Sequence, residues 1–121
     1  MVGWIAAAGG AGAAARYLLD GWVQARADRA LPVGTFVINV SGSFLLGVLA
    51  GLVVAHGFSP DAKLIAGTGF LGGYTTFSTF AYETVRLAED GSRRLALVNV
   101  AVSVTAGIVA AAAGLLVTGA L

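Results

Sequence analysis

Thr75, Thr76, Ser78 and Thr79 set four hydroxyls within five residues, preceded by Gly72-Gly73 and interleaved with Phe77 and Phe80. Each hydroxyl donates one hydrogen bond and can rotate to aim it. Two adjacent glycines followed by β-branched residues weaken a continuous helix. The spacing therefore predicts a helix break over residues 72–76, with helix resuming through residues 77–83. The run interrupts an otherwise apolar segment. Hydrocarbon cannot satisfy a hydroxyl or a broken backbone, so at membrane depth such a run must be buried in protein or line a polar passage. The chemistry it suits is the passage of a small ion.

Asn39 adds an amide with two donor hydrogens, and Thr35, Asn39 and Ser43 recur every fourth position, on one face of a helix. A small anion that holds its water tightly needs donors to replace that water. Aromatic ring edges carry partial positive charge, so Phe77 and Phe80 would face an anion edge-on. A fixed cation would hold the ion too firmly, because conduction needs sites an ion can leave. The central parts of the second, third and fourth apolar segments contain no Lys or Arg. The break has a separate use. Broken membrane helices expose carbonyls that bind ions, and such oxygens suit alkali or alkaline-earth ions better than soft metals. Two carbonyls from one chain are too few to enclose a cation. Two chains meeting at the break would supply four, which implies a symmetric dimer.

The elements that must position these groups follow from composition. The chain has 121 residues, 58% hydrophobic and 11% charged, with a mean hydropathy of +0.89. Soluble domains carry about 25% charged residues, so this surface faces something other than water. A membrane-crossing helix takes about 20 residues. Four such helices use most of the chain, over residues 2–22, 33–55, 62–86 and 95–118. The expected fold is an all-α membrane protein, one four-helix transmembrane domain spanning residues 1–121, with its third helix broken. The apolar start, lacking a basic leader, reads as a first transmembrane helix rather than a cleaved signal. A net charge of +1 gives no argument for nucleic acid, and with no cysteine there is no disulfide.

Helix 1 is rich in Ala and Gly, which lets membrane helices approach closely, and carries Arg16 in its second half. A polar loop is expected over residues 24–30, after which Pro32 suits the start of helix 2. Gly47 and Gly51 form a small-xxx-small pair, expected at a close helix contact. Gly57 and Pro60 mark a turn over residues 56–61, and residues 87–94 form the most charged loop. On helix 4, Asn99 and Ser103 share a face.

These residues together resemble the CrcB/Fluc family of fluoride channels. The resemblance rests on Gly9-Gly10-Ala11-Gly12-Ala13 leading to Arg16-Tyr17, on Gly34-Thr35 with Asn39-Val40 and Gly42-Ser43-Phe44, and on Gly72 through Phe80 followed by Glu83. It covers nearly the whole chain. The third-helix motif is highly specific, the first-helix motif moderately so, and helix 4 carries little signature. The resemblance implies an antiparallel homodimer of four-helix subunits with two pores in a bacterial cell membrane, passively exporting fluoride to relieve its toxicity. It also implies a structural sodium ion (Na+) at the dimer centre, held by the main-chain carbonyls of Gly72 and Thr75. Phe77 and Phe80 would line the pores with Asn39 nearby. Ser78 and Thr79 would lie on a hydroxyl track to which Ser103 could add. Arg16 would serve a vestibule or anchor the dimer, and Glu83 matches an acid that borders the pore.

Blander readings stand beside these. Asn39 alone could be interhelical glue, the Phe77/Phe80 pair core packing, and the hydroxyls could bond back to their own helix. Arg16 could snorkel to the interface, and Glu83 could be a solvated charge at a helix end. His56 is a turn histidine without a role. Trp4, Tyr17, Trp22 and Tyr82 read as interface aromatics. Arg26, Arg29, Arg93 and Arg94 fall on one face and Lys63 on the other, which places the first and third loops in the cytoplasm. That bias leaves two partners open: a second copy inserted the other way, or a homologous subunit of opposite orientation. A small multidrug transporter is the rival function, but the sequence offers no carboxylate before Asp20 in helix 1, and Glu83 reads as terminal. A non-transporting scaffold would explain the glycines and not the hydroxyl-rich break. Catalysis lacks a plausible group, with no Cys, no central His and no acid pair.

Overall fold

The computed structural model describes residues 1–27, 31–57 and 59–119. Asp28 and Arg29, which enter the charge count above, lie outside the described residues. The described chain is all-helical: α1 (Val2–Arg26), α2 (Val33–His56), α3 (Pro60–Lys63), a π-helical stretch (Leu64–Leu71), α4 (Gly72–Tyr74), α5 (Phe77–Glu89) and α6 (Arg93–Gly119). The pieces from Pro60 to Glu89 form one rod, bent at Thr75-Thr76, so the architecture is four rods.

Backbone chemistry sets the ends. Gly57 terminates α2 in the left-handed conformation (φ 65°), and its N–H bonds the Leu52 carbonyl, the usual glycine stop. Ser59 then caps α3, its side chain accepting from the Ala62 N–H, and Pro60 occupies the first turn. Three expected loops are shorter than composition suggested. Gln24, Ala25 and Arg26 continue α1, His56 is the last residue of α2, and α5 runs on to Glu89 while α6 already begins at Arg93. Polar residues over the last turn of a rod can stay helical because their side chains reach solvent. Arg26 does so, donating to the Trp22 carbonyl and lying 4.2 Å over its ring.

The rods pair through backbone contact. α2 packs most extensively on α6, and α1 on the π-helical stretch and α4. Along α2, Ser43, Gly47 and Gly51 meet Gly107, Ala111 and Thr118 in turn, so α2 and α6 run parallel. A Cβ at Gly47 would overlap the Ala111 carbonyl, and one at Gly51 the Thr118 side chain. The small-xxx-small pair is thus the α2–α6 seam. On the other side a Cβ at Gly12 would overlap the Phe70 carbonyl, and one at Gly73 the Gly9 carbonyl. These bare backbones hold the bent rod against α1.

Burial within one chain is thin. Ile38 is 1% exposed and packs with Leu71 and Tyr74 as the small centre of the bundle. Phe70 stacks on Tyr74, centroids 6.0 Å apart. Much of the apolar surface faces outward, including Trp4, Tyr17, Trp22 and Tyr82. By length and composition α2 and α6 are each sufficient to cross a membrane.

Candidate functional site

The break is narrower than residues 72–76. Gly72 to Tyr74 remain helical, and Thr75 and Thr76 alone turn extended, with ψ of 159° and 122°. Glycine weakens a helix without forbidding it, and here Gly72-Gly73 serve close packing on α1. The two threonines carry the bend. Thr75 Oγ1 donates to the Leu71 carbonyl at 2.9 Å, and so does the Thr75 N–H. Thr76 opens α5, its hydroxyl accepting from the Thr79 N–H at 3.2 Å, as an N-cap does.

Asn39 reaches the break from α2. Its Nδ2 donates to the Thr76 carbonyl at 2.8 Å, and its Oδ1 accepts from the Thr76 N–H at 2.9 Å. One side chain thus satisfies both polar groups of the residue where the helix stops, and one amide hydrogen remains for another acceptor. Ser43 Oγ donates back to the Asn39 carbonyl at 2.7 Å. Below, Ser41 and the buried Tyr74 share a hydroxyl–hydroxyl bond of 2.9 Å. Arg16, half-buried on α1, sends Nε to the Gly73 carbonyl at 3.2 Å. That carbonyl lies in the last turn before the break, where a cation is favoured.

The Asn39 bond has a consequence for the carbonyls. In an unbroken helix the Thr76 N–H would serve Gly72, and the Thr79 N–H would serve Thr75. Both are diverted, the first to Asn39 and the second to Thr76 Oγ1. Gly72 and Thr75 are therefore left without their helical donors, whereas the Leu71, Gly73 and Thr76 carbonyls accept from Thr75, Arg16 and Asn39.

Two adjoining cavities share Asn39, Ser43, Phe77 and Phe80. One, of about 440 Å³, extends along the third rod past Gly72, Thr75 and Thr68. The other, of about 370 Å³, extends along α6 past Ser103 and Gly107. Both are open toward the outside of the single chain. Phe77 is 78% exposed, and its ring centroid lies 6.0 Å from that of Phe80 at an interplanar angle of 49°. Asn39, Phe77, Phe80, Ser103, Gly72 and Thr75 thus meet along one groove. Ser78 and Thr79 line neither of its two cavities. Ser78 is exposed and pairs only loosely with Thr76, at 3.4 Å.

Two expected site residues stand apart. Glu83 is not terminal, because α5 continues to Glu89. Its carboxylate lies on the side of Thr35, and its Oε1 is buried with no hydrogen-bond partner among the described residues. It opens on a separate cavity of about 320 Å³ with Tyr82 and Arg86. Arg16 does not line these cavities and acts on the Gly73 carbonyl. Sequence reasoning missed three links. Asn99 Nδ2 donates to Thr84 Oγ1 at 2.8 Å, and Ser103 Oγ approaches Asn99 Oδ1 at 3.4 Å. His56 Nε2 lies 2.7 Å from the Thr118 carbonyl, tying the end of α2 to the end of α6. The four-residue spacing of Asn99 and Ser103 gave a partial signal; His56 and Thr118 gave none.

The sequence profile described as "CrcB-like protein, Camphor Resistance (CrcB)" matches residues 3–115. The chain belongs to the CrcB family. Its relatives agree across nearly all of its length. It is 47% identical over 113 residues to the fluoride-specific ion channel FluC of Syntrophotalea carbinolica, covering 93% of this chain and 92% of that one. It is 49% identical over 113 residues to the fluoride-specific ion channel FluC 2 of Mycolicibacterium paratuberculosis, covering 92% and 89%. Against the fluoride-specific ion channel FluC 1 of Leifsonia xyli it is 53% identical over 95 residues, covering 78% and 69%. The profile includes the α1 glycines, Asn39, the Thr75-Thr76 bend and Ser103 of this CrcB-family chain.

Proposed function

We propose that this chain is a fluoride-selective passive channel of the bacterial cell membrane, exporting fluoride, built as an antiparallel dimer with two pores. The observation that carries the reading is the groove. It sets an Asn39 amide with an uncommitted hydrogen beside two phenylalanine rings, with Ser103 of α6 lining the same cavity. Fluoride needs hydrogen-bond donors in place of its water, and weak, exchangeable ones let it leave. No Lys or Arg lines either cavity of the groove. The relatives named above, all fluoride-specific ion channels, support the same reading. The work is transport and not catalysis.

Membrane insertion and dimerisation are parts of this proposal. The outward apolar surface and the length of α2 and α6 support insertion. The exposed Phe77 and the open side of the groove support a second chain, either a copy or a homologous subunit of opposite orientation. Sodium belongs to it as well. The Gly72 and Thr75 carbonyls, deprived of their helical donors, are hard ligands of the kind an alkali ion takes. The donor set fits such an ion if a second chain adds its own pair. A bound sodium would fix the two breaks to each other and offset the charge of the anions nearby. In the pore, Asn39 would both hold the bend and donate, with Phe77 and Phe80 lining the path. Ser78 and Thr79 line neither cavity of the single chain and Glu83 opens on a separate one, so a place for them beside the pore would depend on the surface that a second chain completes. Efflux of fluoride from liposomes holding the purified protein tests the reading. Passive loss of fluoride with little loss of chloride supports it, and retention of both by folded protein opposes it.

A further inference from the structure

The wall of the larger cavity carries four hydroxyl residues: Ser43, Thr68, Thr75 and Thr76. Three are already engaged. Ser43 donates to the Asn39 carbonyl, Thr75 to the Leu71 carbonyl, and Thr76 accepts from the Thr79 N–H and shares a contact with Ser78. Thr68 is different. It is exposed, it lines the cavity, and among the described residues its hydroxyl makes no hydrogen bond. A threonine in an α-helix commonly returns its proton to the carbonyl one turn back. Thr84 and Thr118 do so here. Thr68 does not, and it sits in the π-helical stretch Leu64–Leu71, where the backbone is wound more loosely. Such stretches concentrate at functional positions.

At membrane depth a hydroxyl with no partner is costly. Something outside this chain's own hydrogen bonds must therefore accept from it. We infer that Thr68 is a further pore donor, the residue on the third-rod wall that hands its free hydroxyl to the permeating anion along the path that Asn39 and the two phenylalanines define. This rests on the channel reading above. It assigns the path a direction, from the Phe77/Phe80 pair along the third rod toward the start of that rod, and it assigns the π-helical winding a purpose. A tighter α-helical turn would present the Leu64 carbonyl to the Thr68 hydroxyl and take the donor out of use. The alternative partner for Thr68 is a second copy of the chain, in which case the hydroxyl is interface glue.

Fluoride efflux from liposomes, read with an electrode, separates these for the full-length protein and its Thr68→Val and Thr68→Ser variants, with chemical cross-linking to follow the dimer. Val keeps the shape and loses the donor; Ser keeps the donor. The expected result is efflux slowed about tenfold in Thr68→Val, the rate equivalent of one hydrogen bond, and within about twofold of the parent in Thr68→Ser, with cross-linking unchanged in both. Thr68→Val conducting like the parent overturns the assignment and leaves the channel reading intact. Loss of cross-linking along with flux in Thr68→Val overturns it in favour of interface glue. Silence of the unsubstituted protein, both alone and reconstituted with a homologous subunit of opposite orientation, removes the channel reading, and this assignment with it.

Discussion

Asn39 and Thr76, 37 residues apart in sequence, form a two-bond pair in which one side-chain amide replaces the helix at the bend: Nδ2 to the Thr76 carbonyl at 2.8 Å, and the Thr76 N–H to Oδ1 at 2.9 Å. The pair fixes where the third rod stops and frees the Gly72 carbonyl from its helical donor. Structure and proposed conduction meet in this one residue. Replacing Asn39 by Asp removes the donor and keeps the acceptor, so the Thr76 carbonyl is left unpaired beside a negative charge. The expected cost is about 1–3 kcal/mol, the usual penalty for stranding a buried polar group. Thermal unfolding in detergent reads it, and fluoride efflux should fall in the same variant. An unfolding curve matching the parent would show that the pair does not hold the bend.

Phe80→Ile should suppress fluoride efflux while leaving the dimer intact. Isoleucine fills similar volume and keeps the site apolar, but it has no electropositive ring edge. Efflux together with cross-linking checks this. Unchanged flux would remove Phe80 from the pore and return the Phe77/Phe80 contact to plain packing.

Arg16→Gln tests the link between α1 and the bend. The Gly73 carbonyl loses a charged donor that lies in the last turn before the break. Hydrogen bonds to charged groups contribute about 1.5–3 kcal/mol, and the partly exposed setting places this one toward the lower end. A drop in unfolding temperature is expected, larger for Arg16→Gln than for Arg16→Lys, which keeps the charge. Equal stability of all three proteins would mean that Arg16 merely reaches the interface.

Gly12→Ala should destabilise the fold more than a surface glycine change such as Gly10→Ala. The new Cβ would overlap the Phe70 carbonyl, whereas nothing lies within 4 Å of Gly10. Overpacking of this kind costs about 1–3 kcal/mol. Because the neighbour is backbone and not a flexible side chain, the rods must separate. Unfolding curves for the two variants give the comparison, and indistinguishable curves would contradict the close approach of α1 and the bent rod.

The sequence told most about the bend and the seams. The run from Gly72 to Thr76 reads as the break and contains the observed one at Thr75-Thr76, because β-branching acts locally, while Gly72-Gly73 stay helical. The Gly47/Gly51 spacing marked the α2–α6 seam for the same local reason. What stayed hidden depends on groups far apart in the chain. Asn39 read as a donor, but its hold on Thr76 could not be seen from spacing. His56 read as idle because the Thr118 carbonyl that it meets is 62 positions away. Glu83 read as terminal because polar residues follow it, yet Leu87 and Ala88 carry α5 onward and leave the carboxylate mid-helix. The π-helical winding over Leu64–Leu71 has no composition of its own; its residues are those of an ordinary apolar helix.

Fluoride loss from preloaded liposomes carrying the purified protein, run beside an identical chloride experiment, tests the central claim most directly. The account predicts rapid passive loss of fluoride, no need for a proton gradient or nucleotide, and little loss of chloride. Folded protein that retains fluoride, both alone and when reconstituted with a homologous subunit of opposite orientation, would contradict it.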